Sequence, residues 1–176
     1  MKKPNFLLFI TDQHRADNLG CYGNEIVKTP NIDSIAGSGT QFERFYVANP
    51  LCMPNRSSLM TGRFPSVHGV RCNGTPLSLQ ARTYVEHLAD NGYDTALIGK
   101  SHLQNMTGRP PGWSPNSDDF AVDENGIPQQ AFDWDMQGAE YENENPNLWR
   151  DDKNHDVKLP FYGFEHIELA RNHTDE

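Results

Sequence analysis

Two short apolar runs, each ending in a polar triplet, most restrict the folds open to this chain. Residues 6–10 read Phe-Leu-Leu-Phe-Ile and deliver Asp12, Gln13 and His14 just beyond them. Residues 94–99 centre on Ala96, Leu97 and Ile98 and run straight into Lys100, Ser101 and His102. A continuous apolar run of this length fits a short strand buried on both faces, as in parallel sheets. Helical patterns lie between the two. Thr29-Pro30-Asn31 opens one that Gly37 and Gly39 stop, and a second runs from Pro54 to Met60, ended by Thr61-Gly62. A third, over residues 83–91, spaces Val85, Leu88 and Ala89 for one face before Gly92 stops it. Strands alternating with helices predict an α/β sheet, and such sheets place ligands beyond the carboxyl ends of their strands. Both polar triplets would then stand at the ligand-binding edge.

Two weaker strand patterns accompany these runs. Residues 40–47 set Phe42, Phe45 and Tyr46 among polar residues, and residues 164–169 read Phe-Glu-His-Ile-Glu-Leu. From Asn105 to about Pro160 the chain is rich in Pro, Gly, Asn, Asp and Glu, with Trp113, Trp134 and Trp149 scattered through it. Disordered segments are usually poor in aromatics, so this stretch is expected to be a long ordered excursion. At 176 residues the chain has the size of one ordinary domain, and residues 1–176 are expected to form a single unit.

Charge and cysteine usage exclude several function classes. The formal charge is −9, with acidic residues gathered between Asp118 and Asp156, which argues against a nucleic-acid binder. The run at 6–10 is too short for a signal-peptide core, and no stretch approaches the length of a membrane span. Cys21, Cys52 and Cys72 form no C-x-x-C pair and no even-numbered framework, so a cytoplasmic location and no membrane partner are expected.

The most specific segment is Leu51-Cys52-Met53-Pro54-Asn55-Arg56-Ser57-Ser58-Leu59-Met60-Thr61-Gly62-Arg63. A lone cysteine is ordinarily a small buried apolar residue. Here the twelve residues from Cys52 to Arg63 resemble the signature of the formylglycine-dependent sulfatases, C-x-P-x-R followed by a short helix ending in T-G-R. The resemblance implies that a formylglycine-generating or other sulfatase-maturing enzyme oxidises Cys52 to formylglycine. One hydroxyl of the hydrated aldehyde would attack sulfur, and loss of the proton from the other would expel sulfate and regenerate the aldehyde. Arg56, one helical turn on, would hydrogen-bond the diol. Proline in the first turn would leave backbone N–H groups and a positive helix end beside the anion.

Two further elements follow the same resemblance. Asp12 and Gln13, together with Cys52, would hold one divalent cation, for which oxygen ligands suit calcium, with magnesium or manganese as alternatives. Gln13 departs from the acidic pair of arylsulfatases and is similar to phosphonate monoester hydrolases and choline-sulfatase-like members. In Gly99-Lys100-Ser101-His102, the resemblance gives Lys100 a sulfate oxygen and His102 the formylglycine hydroxyl. Alternate residues at a strand end point to one side, so both side chains are expected to face one pocket. Of the other histidines, His14 is open between lining the pocket and a structural bond. His68 is expected to be structural and His87 to lie on the surface.

The implied fold is the N-terminal portion of an alkaline-phosphatase-like (sulfatase) mixed-sheet sandwich. Sulfatases of this kind are longer and draw a second metal-ligand cluster, another lysine and another histidine from later regions. The chain is therefore expected to be the N-terminal part of a catalytic domain, with little activity alone and part of its sheet edge exposed. Three readings stand: a sulfuric ester hydrolase, a phosphonate monoester or phosphodiester hydrolase, and an inactive remnant or anion-binding module. The first two require a small sulfate- or phosphonate-ester substrate.

Overall fold

The computed structural model describes residues 3–107, 136, 138–151 and 156–170. Much of the expected excursion over 105–160, including Trp113 and Trp134, lies outside the described residues. The backbone groups into two compact units, residues 1–46 and 47–176.

In the first unit, helix α1 spans Pro30–Ser38, where the Thr29-Pro30 start and the Gly37 and Gly39 stop place it. Its partner is a pair of 3-10 turns, Ala16–Asn18 and Gly20–Tyr22. One carboxylate ties them together. Asp33 accepts the Cys21 N–H at 2.8 Å and the Thr29 hydroxyl at 2.9 Å, while Thr29 Oγ1 accepts the Gly20 N–H at 2.8 Å. A side chain at position 20 would put its Cβ 2.4 Å from the Asp33 carboxylate and displace it from these hydrogen bonds.

The expected strand over residues 6–10 is absent. Those residues have no regular secondary structure, and all five side chains are exposed, Leu7 to 93%. A strand exists only when a neighbour pairs its backbone groups, and among the described residues the sheet is formed by 96–99 and 166–169. The strand expected over 40–47 is missing for the same reason. Phe42 and Phe45 instead stack edge to face with ring centres 5.8 Å apart, and both remain exposed.

The second unit carries the core. Helix α2 spans Cys52–Thr61, one turn of helix α3 spans Pro65–His68, and helix α4 spans Tyr84–Asp90. Strand β1, Ala96–Gly99, pairs in parallel with strand β2, His166–Leu169, in the register Ala96 to His166 and Gly99 to Leu169. Helix α5, Pro146–Asp151, lies between them in sequence. The long connection from β1 to β2 is what a parallel pair demands. Met53, Met60, Val70, Leu77, Val85, Leu103, Phe161, Tyr162 and Phe164 fill the core, and Leu97, Ile167 and Leu169 pack on it from the sheet. The other sheet face is bare, with Ile98 76% exposed, so β1 is not buried on both faces as its apolar run implied.

Helix α4 begins with a complete capping box. Thr83 Oγ1 accepts the Glu86 N–H at 3.1 Å, and Glu86 returns a carboxylate oxygen to the Thr83 N–H at 2.9 Å. The same hydroxyl donates to the Tyr162 carbonyl at 2.9 Å, tying the helix to the turn before β2. That turn presses Gly163, at φ +91°, onto the helix so closely that a Cβ there would sit 2.4 Å from the Glu86 nitrogen. Thr83→Ala removes a cap and strands a buried carbonyl, and is expected to lower stability by about 1–3 kcal/mol. Urea denaturation checks this, with Thr83→Ser, which keeps the hydroxyl, expected to avoid most of the loss.

Candidate functional site

Helix α2 presents the signature in an ordered way. Met53, Pro54, Ser57 and Met60 are buried and seat one side of the helix on the core. Cys52 and Arg56, one turn apart, stay half-buried. Gly62, at φ +66°, ends the helix in the left-handed conformation that glycine adopts without strain, and its N–H closes on the Ser58 carbonyl. Cys52 is the first helical residue, so the positive end of the helix dipole lies at the proposed nucleophile. The free first-turn N–H groups expected there are fewer than anticipated. Pro54 has none, and the Met53 N–H donates to Asn73 Oδ1 at 3.1 Å.

Arg56 links this helix to the end of β1. Its guanidinium donates to the Lys100 carbonyl at 2.7 Å, across 44 residues of sequence. Two of the three sequence elements are therefore neighbours within one unit. The alternation argument for Lys100 and His102 does not hold, however. The strand stops at Gly99, whose φ is +109°, and His102 takes a left-handed φ of +51°. Lys100 is half-buried and His102 fully buried.

The turn that carries them is held by a residue the sequence analysis passed over. Glu144 is fully buried, and its Oε1 accepts the His102 N–H at 2.7 Å. Its Oε2 accepts the Leu103 and Gln104 N–H groups, each at 2.9 Å, and the Ser101 hydroxyl at 3.0 Å. Burial raises the Glu144 pKa, and these four hydrogen bonds pull against that shift. Beside it, Gln104 Oε1 accepts the Asn143 N–H at 3.0 Å, and the Asn105 N–H donates to the Tyr141 carbonyl at 3.2 Å. Glu144 sits in an Asn- and Glu-rich stretch with no periodicity, and no motif marks it.

The third element, Asp12 and Gln13, belongs to the other unit. Both are exposed, and Gln13 has a φ of +40°. A carboxylate beside an amide oxygen suits a hard cation, but supplies only two of the roughly six to eight oxygens calcium takes. Among the described residues, no group of three or more His, Cys, Asp or Glu side chains is placed to hold a metal.

The remaining histidines follow their sequence readings in part. His14 and His87 are exposed. His68 is buried between α2 and α3, where its Nδ1 accepts the Val70 N–H at 3.2 Å. Its Nε2 lies 2.9 Å from Ser58 Oγ, a structural role as expected.

The sulfatase family model matches residues 4–159. The chain belongs to the sulfatase family. It is 32% identical to an uncharacterised sulfatase of Escherichia coli, in a match covering 100% of this sulfatase chain and 32% of that protein. A solved structure bound to its substrate, D-glucosamine-2-N,6-O-disulfate, is 36% identical with a TM-score of 0.57, covering 62% of this chain and 22% of that one. The phosphonate monoester hydrolase of Agrobacterium radiobacter is 34% identical with a TM-score of 0.50, covering 60% of this chain and 20% of that one. With its helices and parallel strands, the chain has the fold of the N-terminal part of an α/β sulfatase. It spans between 18% and 32% of the length of the curated relatives it matches.

Proposed function

We propose that this chain carries the nucleophile-bearing half of a sulfuric ester hydrolase site, in which Cys52 is matured to formylglycine. The observation that carries the reading is the Arg56 bond to the Lys100 carbonyl, which sets the signature helix against the Lys100-to-His102 turn. In the matured protein the hydrated aldehyde supplies one hydroxyl to attack the ester and a second whose deprotonation releases the product. Arg56 orients that group and offsets its negative charge, while Lys100 and His102 bind the tetrahedral anion. Asp12 and Gln13 contribute two oxygen donors to one divalent cation, calcium by preference, which would counter charge on the ester when bound. Such a site needs further oxygen ligands for the cation and groups that assist the leaving alcohol. The working location is the cytoplasm, and the partner required is a sulfatase-maturing enzyme.

A second reading keeps the same residues and changes the ester. Gln13, together with the likeness to a phosphonate monoester hydrolase, favours phosphonate monoesters or phosphodiesters. Both ester classes are tetrahedral and develop oxyanion charge, so one donor set serves either.

Mass spectrometry of the Cys52 peptide after co-expression with a maturing enzyme tests the proposal. The thiol is expected to be replaced by the lighter aldehyde, and an unmodified cysteine under those conditions would overturn both readings. Parallel assays on an aryl sulfate and phenyl phosphonate, with calcium added, then separate the two. The chain alone is expected to turn over either substrate only feebly.

A further inference from the structure

The Lys100-to-His102 turn is gripped from two sides by opposite charges. Arg56 holds the carbonyl of Lys100, and Glu144 holds the backbone N–H groups of His102, Leu103 and Gln104 along with the Ser101 hydroxyl. Ser101, His102, Leu103 and Gln104 are each no more than 3% exposed, so water does not stand in for that carboxylate. Three successive N–H groups converging on one anion form a concave nest, which requires a left-handed residue along it. His102 supplies that residue at φ +51°, a conformation unfavourable for a side chain with a Cβ and kept only when its surroundings dictate it. The buried carboxylate is what dictates it here.

We propose that Glu144 is a positioning residue of the anion site: its carboxylate fixes the left-handed turn at His102 and so sets Lys100 and His102 against the ester. This rests on the reading that Lys100 and His102 contact the substrate anion. Glu144 itself touches neither substrate nor reacting atoms. Its four donors lie 40 to 43 residues away in sequence, so the segment around Glu144 acts as a fixed seat for the end of β1.

Glu144→Gln keeps the shape but turns an amide NH2 toward donors that need an acceptor. In the full chain followed by NMR, this variant is expected to speed amide exchange at residues 102–104 by about tenfold or more, the usual consequence of losing charge-assisted bonds. The sulfate-induced shifts at Lys100 and His102, with inorganic sulfate as the probe, should need about tenfold more sulfate. Amides of β1 and α4 should keep wild-type protection. Glu86→Gln, which weakens the α4 capping box, serves as a control for general destabilisation and should leave the sulfate response unchanged. Should Glu144→Gln fail to fold, Ser101→Ala removes one of the four donors and is expected to shift the same two readouts less.

A variant in which the turn loosens but the sulfate response is unaltered would overturn the positioning role, as would an undisturbed turn. Wild-type protein that shows no sulfate response at Lys100 and His102 would overturn the anion-site reading and this proposal with it. A wild-type response that persists in the variant overturns this proposal alone.

Discussion

Cys52→Ala is expected to abolish aldehyde formation and turnover while leaving the fold in place. Loss of a catalytic nucleophile costs on the order of a millionfold in kcat when nothing nearby replaces it. Cys21 and Cys72 do not stand in for it, since each lies outside the signature helix. Stability should change by about 0.5 kcal/mol or less, because alanine is a good helix former and Cys52 is only half-buried. The packing of α2 is carried by Met53, Pro54, Ser57 and Met60 on its other side. Hydrazide labelling after co-expression with a maturing enzyme, followed by ester hydrolysis with calcium added, reads both effects. Labelling that survives in the alanine variant would place the aldehyde elsewhere. Turnover that survives would mean that the chemistry does not use this residue.

What was legible in the residues divides along physical lines. The signature helix was readable because its determinants are local: a proline near the start, buried residues spaced for one side, and a glycine at the left-handed stop. Its observed start lies two residues before Pro54, so Cys52 is inside the helix. Helix α4 was readable for the same reason, through Thr83 and Gly92. Strand β2 appeared where alternation had placed it, trimmed to His166–Leu169. Residues 6–10 have as strong a strand pattern, yet form none, because a strand is a property of a pair and the pattern names no partner. The end of β1 failed differently. Extrapolating strand geometry past Gly99 predicted two side chains on one side, whereas the backbone turns left-handed at Gly99 and again at His102. The cause is Glu144, some forty residues away in an acidic stretch, and a long-range bond to a backbone nitrogen leaves no mark on local sequence. Glu144 is one carboxylate of that acidic stretch that is fully buried.

Acid should destabilise the second unit through His68. The neutral imidazole accepts the Val70 N–H at Nδ1, so its own proton sits on Nε2 and is donated to Ser58 Oγ. Protonating Nδ1 would set two donors against each other in a site that is 1% exposed. Burial accordingly lowers the His68 pKa from 6.5 to about 4. Between those two values the unfolded chain binds the proton and the folded chain does not, so stability rises with pH across that window. The contribution is fully present above about pH 6.5 and is lost as the pH falls toward 4. A difference of this size corresponds to roughly 3 kcal/mol at its limit. Urea midpoints measured at pH 7, 5.5 and 4.5 should fall steadily in the wild type. In His68→Gln they should start lower and fall less, because glutamine does not titrate. The difference between the two slopes isolates this one residue from every carboxylate that titrates nearby. Equal slopes would show that His68 is as accessible to protons in the folded chain as in the unfolded one, and that the contact between α2 and α3 opens well before the unit unfolds.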